Sequence, residues 1–341
     1  MKRWMAVWAT LVGLALVVTP GLADEFYKGK TLRFIVGASA GGGFDTYTRV
    51  IARHISKHIP GQPATVVQNM PGAGTLIAAN YLYNKSKPDG LTIGLWSGGL
   101  VLMQAMEGRP GIKFDARKFE WVGVPITDHP ACTLTKASGI TNLEQWMAAS
   151  EPVKLGAGGP GSSPSDLPKL LQAALGLPMK LVEGYKGTSK IRLAAETGEV
   201  AGGCWAWESI KVTWREALAS GAVVPVVQMN PERHPDLPDL PNAIELAKTD
   251  EARQLLGVIH DRSSIVRAFS LPPGTPADRV SILQAAFMAT MSDPEFIADT
   301  QKAKLDLSPK SGAEVKRIVH GFLDLDPAVL KKLKGILGPK G

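Results

Sequence analysis

Little in this sequence advertises chemistry by itself. It has two cysteines in 341 residues, Cys132 and Cys204, too few for a four-cysteine zinc site or a disulfide-stapled miniature scaffold. Their spacing is compatible with one disulfide or with two buried thiols, and does not choose between them. Histidine is scarce too, at six residues. His54 and His58 stand four apart on an expected helix, but the segment reads His-Ile-Ser-Lys-His, without a metalloprotease glutamate. Lys57 would repel a cation there, so the pair is read as solvent-facing and no metal site is expected. No glycine loop runs into Lys-Ser or Lys-Thr, which excludes a P-loop. The formal charge of +7 is not gathered into a Lys/Arg tract, which argues against a nucleic-acid partner. Long apolar runs are missing as well: Met5 to Val18 falls short of the ~20 residues of an ordinary membrane span.

The N-terminus instead has the layout of an export signal. Lys2 and Arg3 precede that apolar run, and Gly21-Leu22-Ala23 offers small residues for cleavage. Residues 1–23 are therefore expected to be a signal peptide, removed near Ala23, which implies an exported, soluble protein. The remaining chain is long enough for two lobes.

Apolar periodicity gives an α/β pattern. Strands are expected at 31–36, 64–69 and 91–96, with a helix at 46–59 placing Ile51, Ile55 and Ile59 on one face. Each of these strands ends in a Gly- or Ser-containing loop, and ligands of open α/β sheets bind beyond strand C-termini. Two similar strands, 121–125 and 222–227, read as crossovers between lobes. They divide the chain into a first lobe (24–124), a second lobe (125–225) and a return to the first (226–341). Within the second lobe, Thr141-x-x-Glu144 reads as a capping box, 153–171 reads as a strand, glycine loop and helix start, and further strands fall within 180–185 and 198–207. After 230 the pattern turns helical. Pro276 opens one helix, with Val280, Leu283 and Phe287 inward, Ser311-x-x-Glu314 opens another, and Lys331 to Lys340 reads as a solvated tail.

Three readings compete for the glycine loops. Gly37-Ala38-Ser39-Ala40-Gly41 matches the G-x-S-x-G of serine hydrolases, with Ser39 as nucleophile. Only one strand precedes it and no oxyanion-hole segment is found upstream, which speaks against an enzyme. Gly156-x-Gly158-x-x-Gly161, with Glu183 further on, matches a dinucleotide fingerprint. Pro160 stiffens that turn, Ser162-Ser163-Pro164 delays the helix, and an exported protein rarely meets nicotinamide cofactors, so no cofactor is expected. Anion capture fits best: glycines 41–43 and 72–74 let backbone N–H groups converge at helix starts. In the second lobe Ser163 or Ser165 is the expected helix cap.

With these residues in view, the sequence resembles the periplasmic receptors of tripartite tricarboxylate transporters, the Bug or TctC type. "KTLRFIVGASAGGGFD", "VVQNMPGAG", "KPDGLTIGL", "EGYKG" (183–187), "RHPDLPDLPN" (233–242) and "LPPGTPADRV" (271–280) match the family's landmarks in order. The resemblance implies a two-lobe α/β periplasmic-binding-protein fold that closes on a small organic carboxylate. It implies a monomer working with membrane transporter subunits, or else with a signalling partner. Carried over, it nominates Ser39, Gly42, Gly43, Phe44 and Asp45 in the first loop, Gly72, Ala73 and Gly74 in the second, and Ser97 and Gly98 in the third. The second-lobe loop falls on Gly159 to Ser165, with Ser162, Ser163 and Ser165. Three departures stand out: Ser39-Ala40 replaces the family's Pro-Pro, Phe44 is bulky, and Ser165-Asp166-Leu167 replaces Ser-His-Leu. "AGGCWAWES" adds Trp205 to pack on the ligand's carbon body and Glu208 to accept from a ligand donor, while Trp207 reads as core.

Overall fold

The computed structural model describes residues 26–107 and 109–338. The expected signal peptide and the cleavage site at Ala23 lie outside the described residues. Short β-branched and aliphatic runs form eleven strands among the described residues: β1 (Thr31–Val36), β2 (Ala64–Asn69), β3 (Thr92–Leu95), β4 (Glu120–Val124), β5 (Pro130–Thr135), β6 (Val153–Gly156), β7 (Met179–Val182), β8 (Gly202–Ala206), β9 (Val223–Gln228), β10 (Phe269–Leu271) and β11 (Lys310–Ser311). The helices are α1 (Gly43–Ile55), α2 (Leu76–Asn84), α3 (Gly99–Ala105), α4 (Leu143–Met147), α5 (Ser163–Leu175), α6 (Thr188–Glu196), α7 (Trp207–Thr213), α8 (Arg215–Ala219), α9 (Asp250–Ser263), α10 (Ala277–Met291), α11 (Pro294–Lys302), α12 (Gly312–Leu323) and α13 (Pro327–Leu337).

The strands form two sheets, ordered β11-β4-β10-β3-β1-β2 and β7-β6-β8-β5-β9. β1 pairs in parallel with both β2 and β3, so their C-terminal ends share one edge. β6 likewise pairs in parallel with β7 and β8. Alternation assigns the faces of the first sheet. In β4, Val122 joins a core with Phe34, Tyr47, Ile51 and Phe287, while its neighbour Trp121 joins the opposite core with Trp96, Phe119 and Val319. β3 and β5 are buried along their whole length, as strands covered on both faces must be.

The chain crosses from the first sheet to the second through residues 125–129, directly after β4, and returns through 264–268, after β9 and α9; the expected return at 222–227 is instead β9, a strand of the second sheet. The two crossings lie side by side: Asp128 N–H donates to Ser263 O at 3.1 Å. Helices α9 and α13 pack against α5, beside the second sheet. Lys331 to Leu337 is therefore no solvated tail, because α13 buries Leu333 and Leu337. Two helix starts also differ from expectation. Asn142 rather than Thr141 caps α4, accepting from the Gln145 N–H. Pro276 takes the cap position of α10, just before the first helical residue. The Ser311–Glu314 capping box is present as read. His54 and His58 are only partly exposed, held by Asp299 at 3.0 Å and Asp293 at 2.8 Å.

Cys132 and Cys204 lie opposite each other on β5 and β8 and form a disulfide. Register decides what spacing could not: antiparallel neighbours place directly opposed side chains within bridging reach.

Candidate functional site

The loops following β1, β2 and β3 face those following β6 and β7 across a cavity of about 670 Å³, counting its opening to solvent. Gly42, Gly43, Phe44, Gly72, Gly74 and Ser97 wall it from the first sheet's side. Ser162, Ser163 and Trp205 wall it from the second. Helices start at its edge without any side-chain cap, among them α1 after Gly42, α5 after Ser162 and α6 after Gly187. The expected cap by Ser163 or Ser165 is absent: Ser162 precedes the helix and turns its hydroxyl to Gly159 O at 2.7 Å. Uncapped helix starts present unpaired N–H groups and a partial positive charge, a setting for an anion.

The other nominated residues lie outside the cavity wall and shape it. Ser39 spans the cleft, donating from its N–H (3.0 Å) and hydroxyl (2.8 Å) to Lys186 O. Its hydroxyl is thus committed to a backbone carbonyl. Asp45 is buried behind the first loop. It accepts from Gly41 N–H and Asn69 Nδ2, each at 2.9 Å, and from Arg49 Nε at 3.0 Å. Burial raises its pKa, but those donors, Arg49 foremost, outweigh burial and hold the carboxyl below its ordinary value. Gly98 is pressed against the returning crossing, where a Cβ would come within 2.2 Å of Ile265 O. Gly159 meets Gly74 across the cleft, a Cβ on Gly74 falling 2.6 Å from Gly159 O. Ser165 donates to Glu183 at 3.3 Å.

Ala73 belongs to a strained run. Gly72, Ala73, Gly74 and Thr75 have φ of 140°, 45°, 54° and 74°, and a left-handed β-branched Thr75 is a true outlier. What holds Thr75 there is its hydroxyl, which accepts from Ser97 N–H at 2.9 Å. Thr75→Gly is expected to leave the melting temperature near wild type, since about 1–2 kcal/mol of strain relief offsets about 1 kcal/mol of lost hydrogen bond. A thermal melt showing a large loss would mean that the strain is not there to relieve.

Glu208 does not face the cavity. It is fully buried, accepts from His129 N–H at 3.0 Å and faces His129 Nδ1 at 2.9 Å. The hydrogen bond to Glu208 raises the His129 pKa above its ordinary value, outweighing partial burial. A raised histidine stabilises the fold below its unfolded pKa, ~6.5, and that contribution fades as pH rises through the folded pKa. Melting temperature is therefore expected to fall on going from pH 6 to pH 8.5, and less steeply in His129→Asn. Equal slopes in the two proteins would remove His129 from the account. Trp207 is buried outside the wall and donates to Asp236 at 3.1 Å, whereas Trp205 is stacked on Trp214 with ring centroids 5.8 Å apart.

The profile described as tripartite tricarboxylate transporter family receptor, TctC, matches residues 47–334. The chain belongs to that receptor family. Among curated relatives, a UPF0065 protein of Cupriavidus necator is 26% identical over 97% of this chain and 96% of its own. One from Bordetella bronchiseptica is 30% identical, but over only 44% of each protein. Solved structures agree in fold. The periplasmic binding protein BugD superposes with a TM-score of 0.71 at 21% identity, covering 92% of this chain and 100% of its own. MatC of Rhodopseudomonas palustris, solved with bound malate, gives 0.71 at 20% identity over 89% and 99%. A third structure, an R. palustris protein with adipate, gives 0.71 at 21% over 91% and 99%.

Within this receptor fold, the cavity also takes residues that the sequence reading did not nominate: Asp128, Thr75, Tyr185, Ile191, Ser209 and Arg267. Asp128 and Arg267 sit on the two crossings. Arg267 Nε donates to Asp128 Oδ1 at 2.5 Å, with both side chains almost wholly buried. Burial pushes the Asp128 carboxyl up, to about 6, even beside Arg267. The signal was in the sequence all the same. A charged residue interrupts the otherwise apolar or small run "SSIVRAFSLPP" just before a strand, and buried charge is kept only where something uses or pairs it.

Proposed function

We propose that this receptor captures a small organic carboxylate between its two sheets and, from the periplasm, hands it to the membrane subunits of a tripartite-type transporter. The observation that carries the reading is the meeting of uncapped helix starts, α1 and α5 among them, at one cavity walled by glycine loops. Malate and adipate in the R. palustris structures support the ligand class. No helix among the described residues is long and apolar enough to cross a membrane.

The moving units are 24–124 with 269–326 against 130–263, so that the second lobe runs past the 225 expected from the sequence. The stretch through α9 and the terminal α13 travel with the second lobe, on which they pack. Ligand docks on the loops of the first lobe, then the second swings about residues 125–129 and 264–268. Closure is held by Ser39 to Lys186 O, by Ser97 Oγ to Gly161 O at 2.6 Å, and by Arg192 to Gly41 O at 3.1 Å. A ligand favours this state only through contacts that the open state lacks. Thermal denaturation of the purified protein against mono-, di- and tricarboxylates, malate and adipate included, tests the proposal. At 100 times Kd a true ligand adds about 2.7 kcal/mol of stability. Absence of any shift across the panel, in protein shown by native mass spectrometry to be ligand-free, would sink it.

A further inference from the structure

Arg267 is 1% exposed, and its guanidinium is only partly occupied. Nε is paired with Asp128 Oδ1, Nη2 donates to Ser209 Oγ at 2.8 Å, and the planar group stacks over the Tyr47 ring at 4.5 Å. Nη1 has no hydrogen-bond partner although it is buried. A buried guanidinium nitrogen left unpaired is costly, and arginines in such places ordinarily have every donor satisfied. The side chain lines the cavity. Its free nitrogen lies beside the start of α1, 3.1 Å from where a Cβ on Gly43 would sit. The unpaired charge and the uncapped helix start therefore converge on one spot, from different elements.

We propose that Arg267 is a ligand-binding residue of this receptor, its Nη1 donating to a carboxylate oxygen of the solute at the N-terminus of α1. The proposal rests on the carboxylate-receptor reading and sharpens it. Glycine loops and helix ends give a partial charge that would also tolerate a neutral carbonyl. A full, buried positive charge discriminates for the anion, because charge-assisted hydrogen bonds are roughly twice as strong as neutral ones. Asp128 limits the same corner. Asp128 also lines the cavity, so a second ligand carboxylate close to the first would be repelled. Phe44, Ile191 and Trp205 occupy the wall beyond. The solute class is then an organic acid with one carboxylate against Arg267 and a largely apolar body, a second acid group standing several carbons away if there is one.

The role of Arg267 also explains its pairing with Asp128. Nε and Nη2 are fixed by side chains from the crossing and from α7, so the fork is held in place with one arm free, and little ordering remains for the ligand to impose.

The test compares acids with their uncharged amides. Isothermal titration with adipate, malate, benzoate and phenylacetate, each beside its amide, is run on wild type, Arg267→Lys, and the double variant Arg267→Gln/Asp128→Asn. The double variant removes both charges, so no uncompensated buried carboxylate is left to unfold the protein. Preference for acid over amide is expected to fall by about 10- to 100-fold in the double variant, acid affinity falling much more than amide affinity, with Arg267→Lys in between. Equal weakening of acid and amide would mean a structural role only, and would overturn the proposal. An unchanged preference with acid binding intact would overturn it too, while leaving the receptor reading standing. Wild-type protein that binds none of these acids would overturn both.

Discussion

Gly43→Ala is expected to abolish tight ligand binding, lowering affinity by more than about 100-fold, ~2.7 kcal/mol, without unfolding the receptor. In the closed arrangement, the added methyl would sit 1.6 Å from Ser209 Oγ, 2.7 Å from Ser209 Cβ and 3.1 Å from Arg267 Nη1. Those atoms cannot all give way, because Ser209 is on α7 and Arg267 is fixed by Asp128 and Tyr47. The cheap response is for the second lobe to stay away. In the proposed mechanism affinity is the closure free energy, so blocking closure removes it. The backbone itself accepts alanine: Gly43 begins α1 and is not among the residues with positive φ, and alanine is a better helix former than glycine by up to ~1 kcal/mol. The signature is thus a ligand-free melting temperature equal to or above wild type together with lost binding. Gly257→Ala is the control. It lies in α9 with nothing within 4 Å of the added Cβ, so it raises stability and leaves affinity alone. A Gly43→Ala protein that still binds tightly would show that ligand is held without this contact between lobes.

The contrast between these two glycines bears on what a single sequence makes legible. The strand-loop-helix order around Gly43, and the convergence of three loops on one edge, follow from apolar periodicity and the position of the glycines. Local patterns fix local structure, and a parallel sheet then forces the loop ends together. What could not be read is which residues meet across the cleft. Ser39 was nominated for the ligand, yet it reaches a carbonyl 147 residues away, a contact with no local trace. Glu208 was nominated because it follows β8 beside Trp205. It turns instead to His129 on the adjacent crossing, since a carboxylate so deeply buried needs a donor close by. Arg267 leaves a local trace, a charge inside an apolar run, but Asp128 leaves none, and the meaning of the pair arises only when the crossings are laid side by side. The cysteines belong to the same class, undecided until β5 and β8 are seen as neighbours.

Replacing both cysteines by alanine is expected to cost about 4 kcal/mol of stability, from the chain entropy of a loop closed over 72 residues. In a protein of this size that lowers the melting temperature by roughly 6 °C. The closed loop spans β6, α5, β7 and α6, the part of the second sheet whose pairings are parallel and therefore non-local, so the cross-link constrains the unfolded chain where native contacts are slowest to find. Both sulfurs are wholly buried, and the vacated volume adds a smaller packing loss. Affinity should respond much less. Along β8, Cys204 and Trp205 point to opposite faces: Cys204 joins the core with Leu134, Leu155 and Leu170, while Trp205 joins Ile191 and Trp214 beside the cavity. The disulfide thus braces the sheet from behind and does not touch the wall. Melting with and without reductant, followed by titration of the double-alanine variant well below its transition, separates the two quantities. Loss of binding in a variant that remains folded would mean that the brace sets the position of Trp205, and so reaches the site through the strand itself.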